Sequence, residues 1–386
     1  MKKIGILTGS RAEYGLLKSL MQKIKDSNQF ELQIIVTGMH LMPQFGNTFE
    51  QIEEDGFFIN EKVDLNHLQD SKMAISNAVS VGIRGISESL VRLKPDLLFI
   101  LGDRFEAFAG ATAAFILNIP IAHISGGDVT EGAIDDGFRH SITKFSYLHF
   151  TSTETYRKRV IQLGEEPDRV FNVGSTGIDN VLNMSLLSKN ELSKAIDFDL
   201  EKPYFLITFH PVTLSVISSE AQFIILLEVL EKHSDYNMIF TYPNADAEGQ
   251  KIINILEKFK NNKTKNIKVV PNLGTLRYLS AIKYAKVVIG NSSSGIIEVP
   301  SFKVPTINIG IRQKGRIKAE TVIDCENTAD AIEMAIEKAI SPSFQSFCQT
   351  VENIYGDGHA TDKIMNVINN INFDKAIQKH FFDINF

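Results

Sequence analysis

Cysteine is nearly missing from this 386-residue chain, which carries two, Cys325 and Cys348. Two so far apart make neither a disulfide framework nor a zinc site, and a reducing compartment is expected. An excess of one charge is missing too. Forty Lys and Arg stand against 46 Asp and Glu, and no basic block supplies the clustered face that nucleic-acid backbones require, so no nucleic-acid partner is expected. No apolar run approaches the ~18–20 residues that span a bilayer. The opening Ile4-Gly5-Ile6-Leu7 stretch is too short for the core of a signal peptide, so the expected location is the cytoplasm, with no membrane partner. Neither a G-x-G-x-x-G fingerprint nor a G-x-x-x-x-G-K-[ST] loop is present, and His123, His140 and His149 are too scattered to chelate a metal. No cofactor and no metal are expected.

What the chain does have is apolar material. At 44% hydrophobic and 22% charged residues it can build sizeable cores and is not disordered, and its length suggests two to three domains. Short apolar runs alternate with segments of helical period, the pattern of βα units around a parallel sheet. Strands are expected at Lys3–Leu7, Leu32–Thr37, Leu97–Leu101, Ile121–Ile124 and Tyr147–Phe150. A helix is expected over Ser71–Leu93, where Ile75, Val79, Ile83, Ile86, Leu90 and Leu93 share one face. The alternation restarts with strands at Tyr204–Thr208, Met238–Thr241, Ile267–Val270, Val287–Ile289 and Thr306–Ile309. Helices are expected near Glu220–His233, Ala247–Phe259, Thr275–Ala285 and Thr328–Ile340. The fold class is therefore α/β, with two Rossmann-like doubly wound domains at 1–175 and 176–360, the boundary falling within the Gly-bearing and polar stretch Asn172–Leu200.

Open α/β sheets bind ligands beyond the carboxyl ends of their strands, which directs attention to the turns. The first, Thr8-Gly9-Ser10-Arg11-Ala12-Glu13-Tyr14-Gly15, opens a helix whose free N–H groups and Arg11 suit an anion; its plainer reading is an ordinary βα turn. Leu101-Gly102-Asp103-Arg104-Phe105-Glu106 puts Asp103 at a strand mouth, where a lone Asp is by default a helix cap. The segment Ser125-Gly126-Gly127-Asp128 through Glu131, Asp135 and Asp136 to Arg139-His140 weakens that default. Four carboxylates there should meet Asp103 at one sheet edge, and close carboxylates separate each other's pKa values into a base and a proton donor.

In the second half, His210 follows a strand in Thr208-Phe209-His210-Pro211-Val212-Thr213, although a solitary His is more often structural. Asn244 sits in the turn after the next strand. Gly290-Asn291-Ser292-Ser293-Ser294-Gly295 gathers hydroxyls and amides at a helix start, which suits a phosphate, with Glu298 about one turn on to accept from ribose; the plain alternative is a serine-rich cap. It is no G-x-S-x-G elbow, which speaks against a serine hydrolase. Arg312, Lys314 and Arg316 form either a solvated loop or a counter-charge for a diphosphate.

Taken in order along nearly the whole chain, these five motifs resemble the hydrolysing UDP-N-acetylglucosamine 2-epimerases, most closely the sialic-acid-pathway branch. The resemblance implies a GT-B-like pair of domains facing across a cleft, a C-terminal region 361–386 packing back on the first domain through a helix near Thr361–Ile371, and a homodimer or homotetramer. It places Arg11, Arg104, His210, Asn244, Ser292, Ser293, Glu298 and Arg312 at the nucleotide and diphosphate, and Asp103, Asp135, Asp136 and Arg139 at the sugar. One position departs: many members carry a catalytic Glu where this chain has Ser125. The sialic branch tends to place its acid three residues later, here Asp128, with Glu131 the alternative.

The chemistry so implied is elimination. The nucleoside diphosphate leaves C1 as a proton leaves C2, and water adds to the resulting 2-acetamidoglucal with inversion at C2. Cations, His210 and the serine turn would stabilise the leaving group, and Asp103 with one of Asp128, Glu131 or Asp135 would exchange protons. The expected reaction converts UDP-N-acetylglucosamine and water to N-acetylmannosamine and UDP for nonulosonic (sialic) acid synthesis. The same chemistry on UDP- or GDP-N,N'-diacetylbacillosamine, for legionaminic acid, is the near alternative. A GT-B glycosyltransferase and a non-catalytic nucleotide-sugar sensor are more distant ones, and the carboxylate-dense loop favours an epimerase over both.

Overall fold

In the computed structural model, residues 1–43, 46–65, 71–129, 134–211, 217–243, 247–262, 266–372 and 378–384 are described. The chain divides into two compact units, Met1–Asn180 with Tyr355–Phe386, and Val181–Ile354. The first contains β1 (Lys2–Thr8), β2 (Phe30–Thr37), β3 (Glu61–Val63), β4 (Leu97–Leu101), β5 (Ile121–Ile124), β6 (Leu148–Thr151) and β7 (Val170–Asn172), ordered β3-β2-β1-β4-β5-β6-β7. The second contains β8 (Tyr204–Thr208), β9 (Asn237–Thr241), β10 (Ile267–Val270), β11 (Val287–Gly290), β12 (Thr306–Ile309) and β13 (Val322–Cys325), ordered β10-β9-β8-β11-β12-β13. Every pairing is parallel.

Parallel sheets covered on both faces bury whole strands, and near-continuous apolar runs result. All five residues of β4 and all five of β8 are buried. The expected strands appear within two residues of their predicted ends. Three that the sequence did not announce, β3, β7 and β13, lie at the sheet edges and are only three or four residues long. With polar residues such as Glu61 and Lys62, they lack the apolar run that marks their neighbours.

The long helix spans Lys72–Leu93, Ser71 serving as N-cap by accepting from the Ala74 N–H and Lys94 ending it in the left-handed region at φ 51°. Its deepest residues are Ala78, Gly82, Ile86, Ser89 and Leu90 rather than the large apolar set alone. The reason is close packing. A Cβ on Gly82 would stand 3.0 Å from Ala109 Cβ on helix Phe105–Ile116 and 3.1 Å from Leu65, so small residues carry the contact face. Helix Ala360–Asn370 belongs to the first unit: Ile364 and Ile368 join the core that contains Leu17, Leu20 and Ile24. Asp179 accepts from the Ala360 and Thr361 amides at 2.9 and 2.7 Å, satisfying two free donors of the helix start. Among the described residues no helix is long and apolar enough to cross a membrane.

In each sheet the strand order reverses once, between β1 and β4 and between β8 and β11. These are the switch points outside which doubly wound sheets bind ligands. At the second, Gly290 (φ 144°) lets β11 leave its sheet against the Thr208 backbone, a space no Cβ can share. Gly290→Ala is therefore expected to destabilise the protein by about 1–3 kcal/mol, read as a lower urea midpoint with unchanged slope.

Candidate functional site

In the first unit the carboxyl ends of β1, β4 and β5 and the helix Ile134–Phe145 bring the predicted acids to one place. Gly102 (φ 75°) turns the chain out of β4, and Asp103 pairs with the guanidinium of Arg139 through Nη2. Arg139 Nη1 donates to the Asp128 carbonyl at 2.8 Å and to Asp136 Oδ1 at 3.0 Å, and His140 Nε2 lies 3.6 Å from Asp136 Oδ2. Arg139 is 6% exposed. Asp103, Asp128, Asp136 and Arg139 thus form one linked group. Burial raises the Asp103 carboxyl above its ordinary range, against the pull of Arg139, and the charge of Asp135 adds to the rise. Glu131 lies outside the described residues.

Arg11 opens helix Arg11–Asp26 at the mouth of β1 and is exposed. Arg104, at the mouth of β4, is already engaged: Nε and Nη2 donate to Glu106 at 3.1 and 2.8 Å, and Nε lies 3.6 Å from Glu13 Oε1. Sequence alone assigns no role to Glu13 or Glu106, yet both are buried here. Glu13 Oε2 accepts from the Gly9 N–H at 2.7 Å while the Glu13 N–H donates to Ser10 Oγ. Ser10-x-x-Glu13 is the spacing of a capping box, a pattern that signals a helix start and nothing more. Burial, with repulsion from Glu106 and Asp103, lifts Glu13 from an ordinary 4.5 to about 7, against the Gly9 N–H and Arg104.

The second unit builds a frame around a buried amide. Asn291, 1% exposed, accepts from the His210 N–H at 2.7 Å and donates to the His210 carbonyl at 2.8 Å, clasping the turn after β8 to the turn after β11. Its own carbonyl accepts from Arg312 Nη1 at 3.0 Å and Gln313 Nε2 at 2.9 Å. Ser292 caps helix Ser293–Ile297, and Ser294 Oγ donates to Glu298 Oε2. His210, Ser292, Ser293, Glu298 and Arg312 therefore share one strand-end region of this unit. Asn291 was legible only as part of a motif, and Gln313 carried no signal at all. Asn244 lies outside the described residues. Among the described residues no group of three or more His, Cys, Asp or Glu is placed to hold a metal ion.

Residues 22–369 match the family described as UDP-N-acetylglucosamine 2-epimerase. The chain belongs to that family. It is 41% identical over 384 residues, 99% of each chain, to the GDP/UDP-N,N'-diacetylbacillosamine 2-epimerase (hydrolyzing) of Campylobacter jejuni. It is also 41% identical over 386 residues to the polysialic acid biosynthesis protein P7 of Escherichia coli, covering 100% of this chain and 98% of that one. The UDP-GlcNAc 2-epimerase of Neisseria meningitidis, solved bound to UDP-GlcNAc, shares the fold with a TM-score of 0.77 at 18% identity, covering 96% of this chain and 100% of that one. The fold is the GT-B-like epimerase fold, and the protein is an enzyme, a hydrolysing 2-epimerase of nucleotide sugars.

The raised carboxyl of Glu13 has a consequence for stability. Its folded value of about 7 lies above the ordinary 4.5, so its favourable contribution is complete below about pH 4.5 and is lost as pH rises through 7. Glu13→Gln keeps an acceptor for the Gly9 N–H and removes the titration. Urea unfolding is expected to show the variant gaining on the wild type by about 1–3 kcal/mol between pH 5 and pH 8; parallel profiles would refute the assignment.

Proposed function

We propose that the enzyme converts UDP-N-acetylglucosamine and water to N-acetylmannosamine and UDP. The observation that carries this reading is the acidic group around Arg139, where Asp103 is held among Asp128, Asp135 and Asp136 with its carboxyl raised. A C2 proton has no neighbouring carbonyl to acidify it, so a base must act as the C1–O bond breaks. The electron pair of C2–H becomes the C1–C2 double bond of 2-acetamidoglucal, and UDP departs with the C1–O electrons. Water then adds its oxygen at C1 while a proton returns to C2 on the opposite face. We assign this proton traffic to Asp103 with Asp128, Glu131 or Asp135, with Asp136 and Arg139 holding the sugar side. Groups of this kind contribute roughly 10²–10⁴-fold each.

Arg11, Arg104, His210, Asn244, Ser292, Ser293, Glu298 and Arg312 are assigned to the nucleotide and its diphosphate. A guanidinium, an imidazole and helix-start amides are suited to charge that grows on the departing group. The clasp of Asn291 on His210 and the Arg312 bond to the Asn291 carbonyl support their joint action. A second substrate, UDP- or GDP-N,N'-diacetylbacillosamine, is favoured by the name of the Campylobacter relative, just as a sialic-acid role is favoured by the name of the Escherichia coli one. The two sugars differ at C4 and C6, where a pocket built for a hydroxyl penalises its loss strongly. The proposed assembly is a homodimer or homotetramer.

In D2O, one deuterium is expected at C2 of the released sugar by NMR, and a sugar carrying its original hydrogen there rules out the elimination. Asp103→Asn is expected to lower kcat by about 10²–10⁴-fold with UDP affinity retained in calorimetry; loss of both assigns Asp103 to structure. Offering the two nucleotide sugars side by side and comparing kcat/KM decides the substrate.

A further inference from the structure

Helix Ile134–Phe145 carries Asp136 and Arg139 toward its beginning, and its other end is held by a segment remote in sequence. Lys379 Nζ donates to the Lys144 carbonyl at 2.8 Å and the Ser146 carbonyl at 2.7 Å, and lies 2.6 Å from Glu165 Oε2. Three ammonium donors thus meet three acceptors. The last carbonyls of a helix have no partner within it, and a positive charge there opposes the negative end of the dipole. Glu165, 1% exposed, also accepts from Lys144 Nζ at 2.6 Å and lies 3.0 Å from His149 Nε2. Burial works to raise its carboxyl, yet His149 and the two ammonium groups hold it down at about 2.

The flanking residues make this a laid-down segment rather than one contact. Arg169 Nη1 donates to the Gln378 carbonyl at 3.0 Å while its guanidinium lies 4.2 Å from the Tyr147 ring centre. The Phe382 N–H donates to the Gly164 carbonyl at 3.0 Å. The Phe381 ring lies against Gly164 (φ 87°) where a Cβ would collide with it, and Lys144 Nζ stands 5.0 Å from that ring's centre. Lys144 stands five positions after Arg139, about 7.5 Å of helix axis at 1.5 Å per residue. Thr143 Oγ1, between them, donates to the Arg139 carbonyl at 3.0 Å.

We propose that Gln378–Phe382 is a strap that sets the position of the helix bearing Asp136 and Arg139, with Lys379 as its positioning residue. The proposal rests on the reading that Arg139 acts at the sugar. An ångström of misplacement at a catalytic group costs up to about 10²-fold, so a small shift of this helix is visible in rate. The nucleotide end of the substrate is assigned to other residues and should not feel it.

The test compares Lys379→Met, Lys379→Arg and Phe381→Ala with Arg139→Lys, measuring kcat, KM, UDP affinity by calorimetry and melting temperature on the full chain. Lys379→Met is expected to lower kcat about tenfold, with UDP affinity unchanged and Lys379→Arg restoring most of the rate. Phe381→Ala removes an exposed anchor whose loss does not threaten folding, and should lower kcat about two- to threefold. The double variant Lys379→Met/Arg139→Lys should be little slower than Arg139→Lys, because one change acts through the other. Wild-type kcat and KM in Lys379→Met and Phe381→Ala beside a slow Arg139→Lys overturn the strap alone, whatever the melting temperatures do. Should Lys379→Met fail to fold, the rate of Phe381→Ala decides in its place, a wild-type kcat overturning the strap. A wild-type rate in Arg139→Lys overturns the reading of Arg139 and the proposal with it.

Discussion

A guanidinium that cannot give up its charge has been taken out of water at Arg139, and the first unit's acidic site is arranged around satisfying it. Asp103 comes from the turn after β4, the Asp128 carbonyl from the loop after β5, and Asp136 from the same helix one turn earlier. Removing one partner of a buried pair costs about 3–5 kcal/mol, so these separate pieces of chain are held in one geometry. A neutral crosslink adds to this. His123 is fully buried, and burial drives its imidazole down to about 3; Nε2 donates to the Gly102 carbonyl at 2.8 Å and Nδ1 lies 3.2 Å from Thr143 Oγ1. The turn that presents Asp103 is thereby tied twice, to Arg139 through charge and to β5 through a ring that carries none.

The second unit ties its strand-end turns together through an amide. Asn291 is an amide with donors and an acceptor, and it uses both on the backbone of His210 while its carbonyl gathers Arg312 and Gln313. Gly290 permits the approach because the Thr208 backbone occupies the place of a side chain. A frame built on an amide suits a region assigned to a diphosphate. Buried carboxylates there would repel the ligand, whereas amide and hydroxyl dipoles can be oriented in advance at no such cost.

Interior strands such as β4, β8 and β12 were legible because burial on both faces writes an unbroken apolar run, and the strand-end turns followed from them. Strands β3, β7 and β13 were not, because polar residues such as Glu61, Asn172 and Asp324 break up their three or four positions, whereas β10, also at an edge, was legible from Ile267, Val269 and Val270. The face of helix Lys72–Leu93 was read from its large residues, whereas close contacts are made at Gly82 and Gly85, whose smallness carries no periodic signal. Asp103, Asp136 and Arg139 were legible from the density of charge after β4 and β5. Glu13 and Glu106 were not, since a carboxylate near a helix start is ordinary until its burial is known. Lys379 was beyond reach: it bonds carbonyls 233 and 235 residues away, a distance over which no local pattern operates.

Ser125 stands where the family resemblance leads one to expect a catalytic Glu, and the loop that follows bears on which acid is proposed in its place. It sits at φ 66° at the end of β5, a conformation that costs a non-glycine residue roughly 1–2 kcal/mol, and its short side chain cannot reach as the Glu of many relatives would. The glycines that follow let the backbone pack closely. A Cβ on Gly126 would stand 3.0 Å from His123 Nδ1 and 3.1 Å from Thr143 Oγ1, and one on Gly127 (φ 85°) would stand 2.5 Å from the Tyr156 carbonyl. The loop is therefore pressed against helices Ile134–Phe145 and Glu154–Gln162, and Arg139 Nη1 and Arg159 Nη1 donate to its carbonyls at Asp128 and Gly127. An acid delivered by backbone so constrained needs less side chain to be held in place. For that reason Asp128, one methylene shorter than a Glu, is a sound candidate for the acid that Ser125 cannot provide.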